Sequence, residues 1–133
     1  METEDQLPST VFVDVGALGQ EDSDLIAAID RFQIDVIKDE TLINSHTADL
    51  ITTVYQLFQH EEYLMETSRY PLADIHTMEH NRLVSDMVHA VAKLDDHDLT
   101  AGQIADKLRK KFRFHADNFD KVLFEYLRKK HAS

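Results

Sequence analysis

The chain has no cysteine, and only three glycines and two prolines among 133 residues. Without cysteine there are no disulfides and no thiolate metal ligands. So few turn-forming residues exclude an all-β fold built on many tight turns. No apolar run approaches the roughly 18 residues that a membrane-spanning helix needs. Basic residues are also scarce. Lys and Arg number 14 against 25 Asp and Glu, a net charge of −11. Such a surface repels phosphate backbones and anionic lipid, so neither nucleic acid nor membrane is an expected partner. The segment Met1 to Gln6 is acidic and polar, unlike a secretory leader, and a cytoplasmic location is expected. A glycine-flanked serine nucleophile, a phosphate loop and the Gly-x-Gly pattern of nucleotide folds are all missing, which disfavours an ordinary hydrolase.

What the chain does have is helical periodicity. Hydrophobic residues make up 43 % of it, enough for one core in one domain. Residues 1–19, with Pro8 and the run Val11, Phe12, Val13 and Val15, read as an extended N-terminal arm packed along the rest. Residues 20–133 carry four helical patterns. The first spans about Gln20 to Lys38, with Leu25, Ile26, Ile29, Phe32, Val36 and Ile37 apolar. The second spans about Glu40 to Thr67 and is broken by Arg69, Tyr70 and Pro71. The third spans about Leu72 to Leu94, with Ile75, Leu83, Val84, Met87, Val88 and Val91 as its stripe. Asp95 to Leu99 forms a polar turn, and Thr100 suits an N-cap before a fourth helix running to about Lys130. The late cluster from Lys107 to Arg113 and from Arg128 to Lys130 suits that helix's outer face and final turn. Short turns between long helices imply antiparallel neighbours, hence an all-α, up-down-up-down four-helix bundle.

Several ionisable residues fall where this bundle needs hydrophobes. Glu61 continues the stripe Val54, Leu57, Phe58 and precedes Leu64 and Met65. His76 and His80 lie four residues apart on the buried side of the third helix, projecting from adjacent turns. His115 aligns with Phe112, Phe119 and Val122. A lone inward histidine is usually a satisfied core residue. A lone inward carboxylate costs several kcal/mol unless it is paired. Three histidines and a carboxylate from three helices are better explained by one cation at a shared height. Nitrogen and oxygen donors without sulfur suit iron, manganese or zinc. Asp120 follows His115 by five residues, about 500° of ideal rotation and so about 140° away. Regular geometry makes it a surface residue, whereas a π-type widening would bring it beside His115.

The stretch from Leu57 to Met65 (Leu-Phe-Gln-His-Glu-Glu-Tyr-Leu-Met), then Tyr70–Pro71, His76 and His80, resembles the signature of the bacterial hemerythrins. His115 and Asp120 match that family's last histidine and aspartate. Val13 to Ile26 resembles, more loosely, its entry into the first helix. The resemblance spans about Val13 to Tyr126. It implies that His76, His80 and His115 hold the more saturated of two irons, with Glu61 and Asp120 bridging the pair. Two positions depart from the pattern. The family's histidine four residues before the bridging glutamate is Leu57 here, and its first-helix histidine falls at Asp22, or at Gln33 in a shifted register. Both belong to the iron with the open position. His60 and His46 offer no obvious replacement: His60 reads as a helix-edge residue, and His46 is too distant from Leu57. Glu62 reads as solvated.

The resemblance therefore implies a non-haem, di-iron carrier or sensor of dioxygen, or of a related gas or oxidant, rather than an enzyme. Its second ion would rest on Asp22, Glu61 and Asp120. Hard anionic donors favour the ferric state, which implies less reversible oxygen binding and slow oxidase or peroxidase side-activity. The alternatives are a single-metal site with a sensing or structural role, or a protein-interaction module with a vestigial site.

Overall fold

Where the sequence places apolar residues at helical spacing, the computed structural model has helices. It describes residues 9–39, 41, 43–95 and 99–132. In chain order these are α1 (Ser9–Lys38), α2 (Ile43–Ser68), α3 (Ala73–Asp95) and α4 (Ala101–His115), then a π-helical turn (Ala116–Asp120) and α5 (Lys121–Ala132). The described residues contain no strand. The helices pack in a ring, α1 on α2, α2 on α3, α3 on α4, and α4 and α5 back on α1.

Each helix contributes one apolar stripe to the shared interior. Leu25, Ile29, Phe32 and Val36 come from α1; Leu50, Val54, Leu57, Phe58, Leu64 and Met65 from α2; Leu83 and Met87 from α3. Ile104, Leu108 and Phe112 of α4 and Leu123 and Leu127 of α5 complete it. Fully burying a side chain of this kind contributes about 1.5–3 kcal/mol, which offsets the cost of the polar residues enclosed among them. Ile37, Ile75, Val88 and Val122, expected on these stripes, are exposed instead. Each sits about one position to the side of the packed face, where the helix has already turned toward solvent.

The ends of the helices follow local chemistry. Thr100 caps α4: its hydroxyl accepts from the Gln103 amide (3.1 Å), and the Gln103 side chain accepts from the Thr100 amide (2.9 Å). At the end of α2, Tyr70 N–H donates to the Met65 carbonyl and Arg69 N–H to that of Glu66. Arg69 there takes the left-handed φ of 56° that this paired closure requires. The Tyr126 hydroxyl (2.9 Å) and Lys130 ammonium (3.0 Å) of α5 donate to the remaining Ser68 carbonyl. Arg109 reaches Asp30 of α1 (2.7 Å) and Lys111 reaches Asp86 of α3 (2.9 Å). The late basic cluster thus partly serves to tie α4 to its neighbours.

One expectation is corrected. Residues 9–19 do not form an extended arm but extend α1 by nearly three turns. Val11, Val15 and Leu18 recur at i, i+4 and i+7, a helical spacing that a reading of Val11–Val15 as a strand-like run overlooks. Residues 1–8 of the expected arm lie outside the described residues.

Candidate metal centre

Five ionisable side chains are buried together. Glu61 is 0 % exposed, His76 and His80 1 %, His115 and Asp120 2 %. No hydrophobic fold encloses five such groups without a compensating interaction. Each offers a donor atom, and these atoms all lie within 4.8 Å of one another. Glu61 Oε1 is 2.9 Å from His76 Nε2, 3.0 Å from His80 Nε2 and 3.8 Å from His115 Nε2. Asp120 Oδ1 is 2.9 Å from His115 Nε2 and 3.2 Å from His76 Nε2. All three imidazoles therefore present the same nitrogen to the centre. The residues come from α2, α3, α4 and the π-helical turn, so the site exists only when those elements pack.

The π-helical turn decides the fate of Asp120. Lys121 N–H bonds the Ala116 carbonyl, five residues back, and the widened turn carries Asp120 round to the face of His115. The Asn118 side-chain amide donates to the Phe114 carbonyl (2.9 Å), a satisfying partner where the backbone pattern shifts.

Aromatic rings hold the imidazoles in place. Phe58 stacks on His80 with centroids 3.8 Å apart and planes 5° from parallel. Phe119 stacks on His115 at 5.3 Å and 11°. Tyr70 meets His76 edge-on at 6.4 Å. Among the described residues, one of these three imidazoles has an outer hydrogen-bond partner: His80 Nδ1 lies 2.8 Å from Glu62 Oε2. Glu62 was expected in solvent, and α2 alone holds no signal to the contrary, because its partner arrives from α3.

Electrostatics in this interior are uneven. Burial drives the Glu61 carboxyl well above its ordinary range, and the nearby Asp120 charge adds to that. Burial also opposes charge on Asp120, but the close imidazoles of His115 and His76 outweigh it and hold that carboxyl well below its usual range. Burial disfavours the His115 cation, yet contacts with Asp120 and Glu61 raise its pKa overall. Burial, reinforced by the other two imidazoles, presses His80 down to about 2.

Polar satisfaction is incomplete in a telling way. Glu61 Oε2, His76 Nδ1, both ring nitrogens of His115 and Asp120 Oδ1 are buried without a hydrogen-bond partner. His115 Nε2 and Asp120 Oδ1 face each other at 2.9 Å but are not aligned to share a hydrogen. Of these atoms His115 Nε2 and Asp120 Oδ1 stand within the five-donor group, and a cation there would satisfy both. A set of three imidazole nitrogens and two carboxylates fits a borderline divalent ion such as iron, manganese or zinc, without selecting among them.

A cavity of about 180 Å³ adjoins the centre on the side of His115 and Asp120. Leu25, Ile26, Leu57, Phe58 and Phe112 give it apolar walls, and Asp22, Ser23 and Arg113 also line it. Asp22 is half-buried and stands outside the five-donor group. The half-buried His60 stands outside it too, as does His46, which pairs with Asp35 at 3.7 Å. No described helix is long and apolar enough to cross a membrane. Comparison with family models, with curated proteins and with solved structures finds no match.

Proposed function

We propose that this chain is a non-haem iron protein of the hemerythrin kind. In this reading Glu61, His76, His80, His115 and Asp120 hold one ion within an up-down-up-down bundle. Dioxygen, or a related small gas or oxidant, is met in the adjoining cavity. The observation that carries the reading is the convergence of five buried donors within 4.8 Å of one another. The resemblance carried by the Leu57–Met65 stretch, Tyr70–Pro71 and the histidines adds iron to it. A ferrous ion held by these five residues would supply redox chemistry toward a small gas. The chain's own residues do the rest. The carboxylates balance the ion's charge, the imidazoles fix its place, and Leu57, Phe58 and Phe112 keep bulk water from it. Carrier or sensor is the role this suits, in a cytoplasmic setting.

A second reading is a two-ion site. Its support is that Asp22 lines the same cavity as Asp120, where a second ion would stand. The apolar character of Leu57 on that wall weighs for a single ion, since leucine supplies no donor. Metals per chain, measured with absorption spectra in air and after reduction, separate the two. One iron per chain without oxo-bridge bands supports the single-ion site. Two irons with such bands support the Asp22 reading. A chain that takes up no metal sinks both.

A further inference from the structure

Among the three inward imidazoles, His80 alone has its outer nitrogen engaged. Its Nδ1 lies 2.8 Å from Glu62 Oε2, whereas the Nδ1 atoms of His76 and His115 are buried without a partner. Its ring is also the most closely stacked, 3.8 Å from Phe58 and nearly parallel to it. The Glu62 side chain keeps 40 % of its surface exposed, and a carboxylate can only accept, so the hydrogen of the 2.8 Å contact belongs to the imidazole. A neutral imidazole with hydrogen on Nδ1 has its lone pair on Nε2, and His80 Nε2 is the atom facing Glu61 and the centre (3.0 Å).

We propose that Glu62 is a positioning residue of this centre: it fixes His80 as the Nδ1–H tautomer and aims the Nε2 lone pair at the ion. His80 is then the ligand set before metal arrives, while His76 and His115 take their final hydrogen arrangement with the ion. A carboxylate behind a ligating imidazole also makes it a stronger donor, and losing such a partner typically weakens metal affinity by about 10- to 100-fold. The inference rests on the metal-binding reading above.

The test uses the full-length chain, Glu62→Ala, Glu62→Gln and, as a charge-matched control on the exposed face of α2, Glu66→Ala. Nitrogen-15 spectra of the metal-free proteins report the His80 tautomer, assigned by its disappearance in His80→Gln. Competition with a chelator reports affinity for ferrous ion. The expected result is Nδ1–H in the unaltered chain and a tautomer mixture in Glu62→Ala. Iron affinity should fall by about 10- to 100-fold in Glu62→Ala, less in Glu62→Gln, whose amide oxygen still accepts, and not in Glu66→Ala. An Nε2–H tautomer in the unaltered chain overturns the proposal, as does equal affinity in Glu62→Ala and Glu66→Ala. If iron is bound and only these differences are missing, this inference alone fails. If the unaltered chain binds no iron, the metal reading fails with it.

Discussion

Leu57 is the residue on which the chemistry turns. It is 3 % exposed and lies one helical turn before Glu61, on the wall of the cavity shared with Asp22 and Asp120. A histidine there would add an imidazole to the wall of a cavity that Asp22 and Asp120 also line. On the single-iron reading proposed above, Leu57→His is therefore expected to raise bound iron from one to two ions per chain by elemental analysis. Without metal the same change should lower unfolding stability by about 1–3 kcal/mol, because a polar ring replaces a packed aliphatic side chain, and iron should restore it. Unchanged stoichiometry in Leu57→His would show that the cavity cannot serve as a second ion site. Glu61, His76, His80 and His115 were legible residue by residue, since an ionisable group on an apolar stripe is visible in one dimension, whereas regular helix geometry put Asp120 on the surface and only the family resemblance drew it in. Glu62 was not legible. Its role depends on which helix lies beside α2, and a single helix pattern carries no record of its neighbour.

The helices were legible for the same reason, and their ends nearly so. Pro71 announced the end of α2, and Thr100 with Gln103 announced the start of α4. Two elements show where such reading stops. The start of α1 was missed because a short β-branched run reads equally as strand until the longer spacing is followed. The π-helical turn was recognised only as a condition on Asp120, since nothing in Ala116–Asp120 dictates a wider turn by composition. Packing dictates it: His115 and Asp120 are both held inward, and five residues must then fit where four would. Asn118 supports this by donating to the Phe114 carbonyl. Asn118→Ala is expected to lower stability in urea by about 0.5–1.5 kcal/mol, the net worth of one hydrogen bond. It should also loosen metal retention, because Asp120 depends on that turn, while an exposed change elsewhere on the helix, such as Lys121→Ala, should do neither. Equal metal retention in the two variants would mean that the turn is held by packing alone.

Taken together, the buried charges make the metal-free fold a compromise whose quality depends on pH. Glu61 and His115 both have pKa values raised above their unfolded values of 4.5 and 6.5. Their contributions to stability are present below those values and are lost as pH rises through the folded ones. Asp120 and His80 are lowered, so their contributions are complete above 3.8 and 6.5 and are lost only on acidification. Above about pH 6.5 the lowered groups are constant and the raised groups act alone. The metal-free protein should therefore become less stable as pH rises from about 6.5 through the raised folded values, by up to about 1.4 kcal/mol per pH unit for each extra proton held by the folded state. Bound metal needs these ligands deprotonated, so it removes the extra protons and flattens the slope. Its stabilising effect should consequently grow with pH. The net charge of −11 would also weaken the fold as pH rises, but added salt screens surface repulsion far more than a buried pair. Urea midpoints across this range, with and without iron and at low and high salt, decide the matter. A slope that survives salt, disappears with iron and shrinks in Glu61→Gln follows from the buried centre. A slope abolished by salt alone assigns the effect to the surface and removes the link between metal and stability.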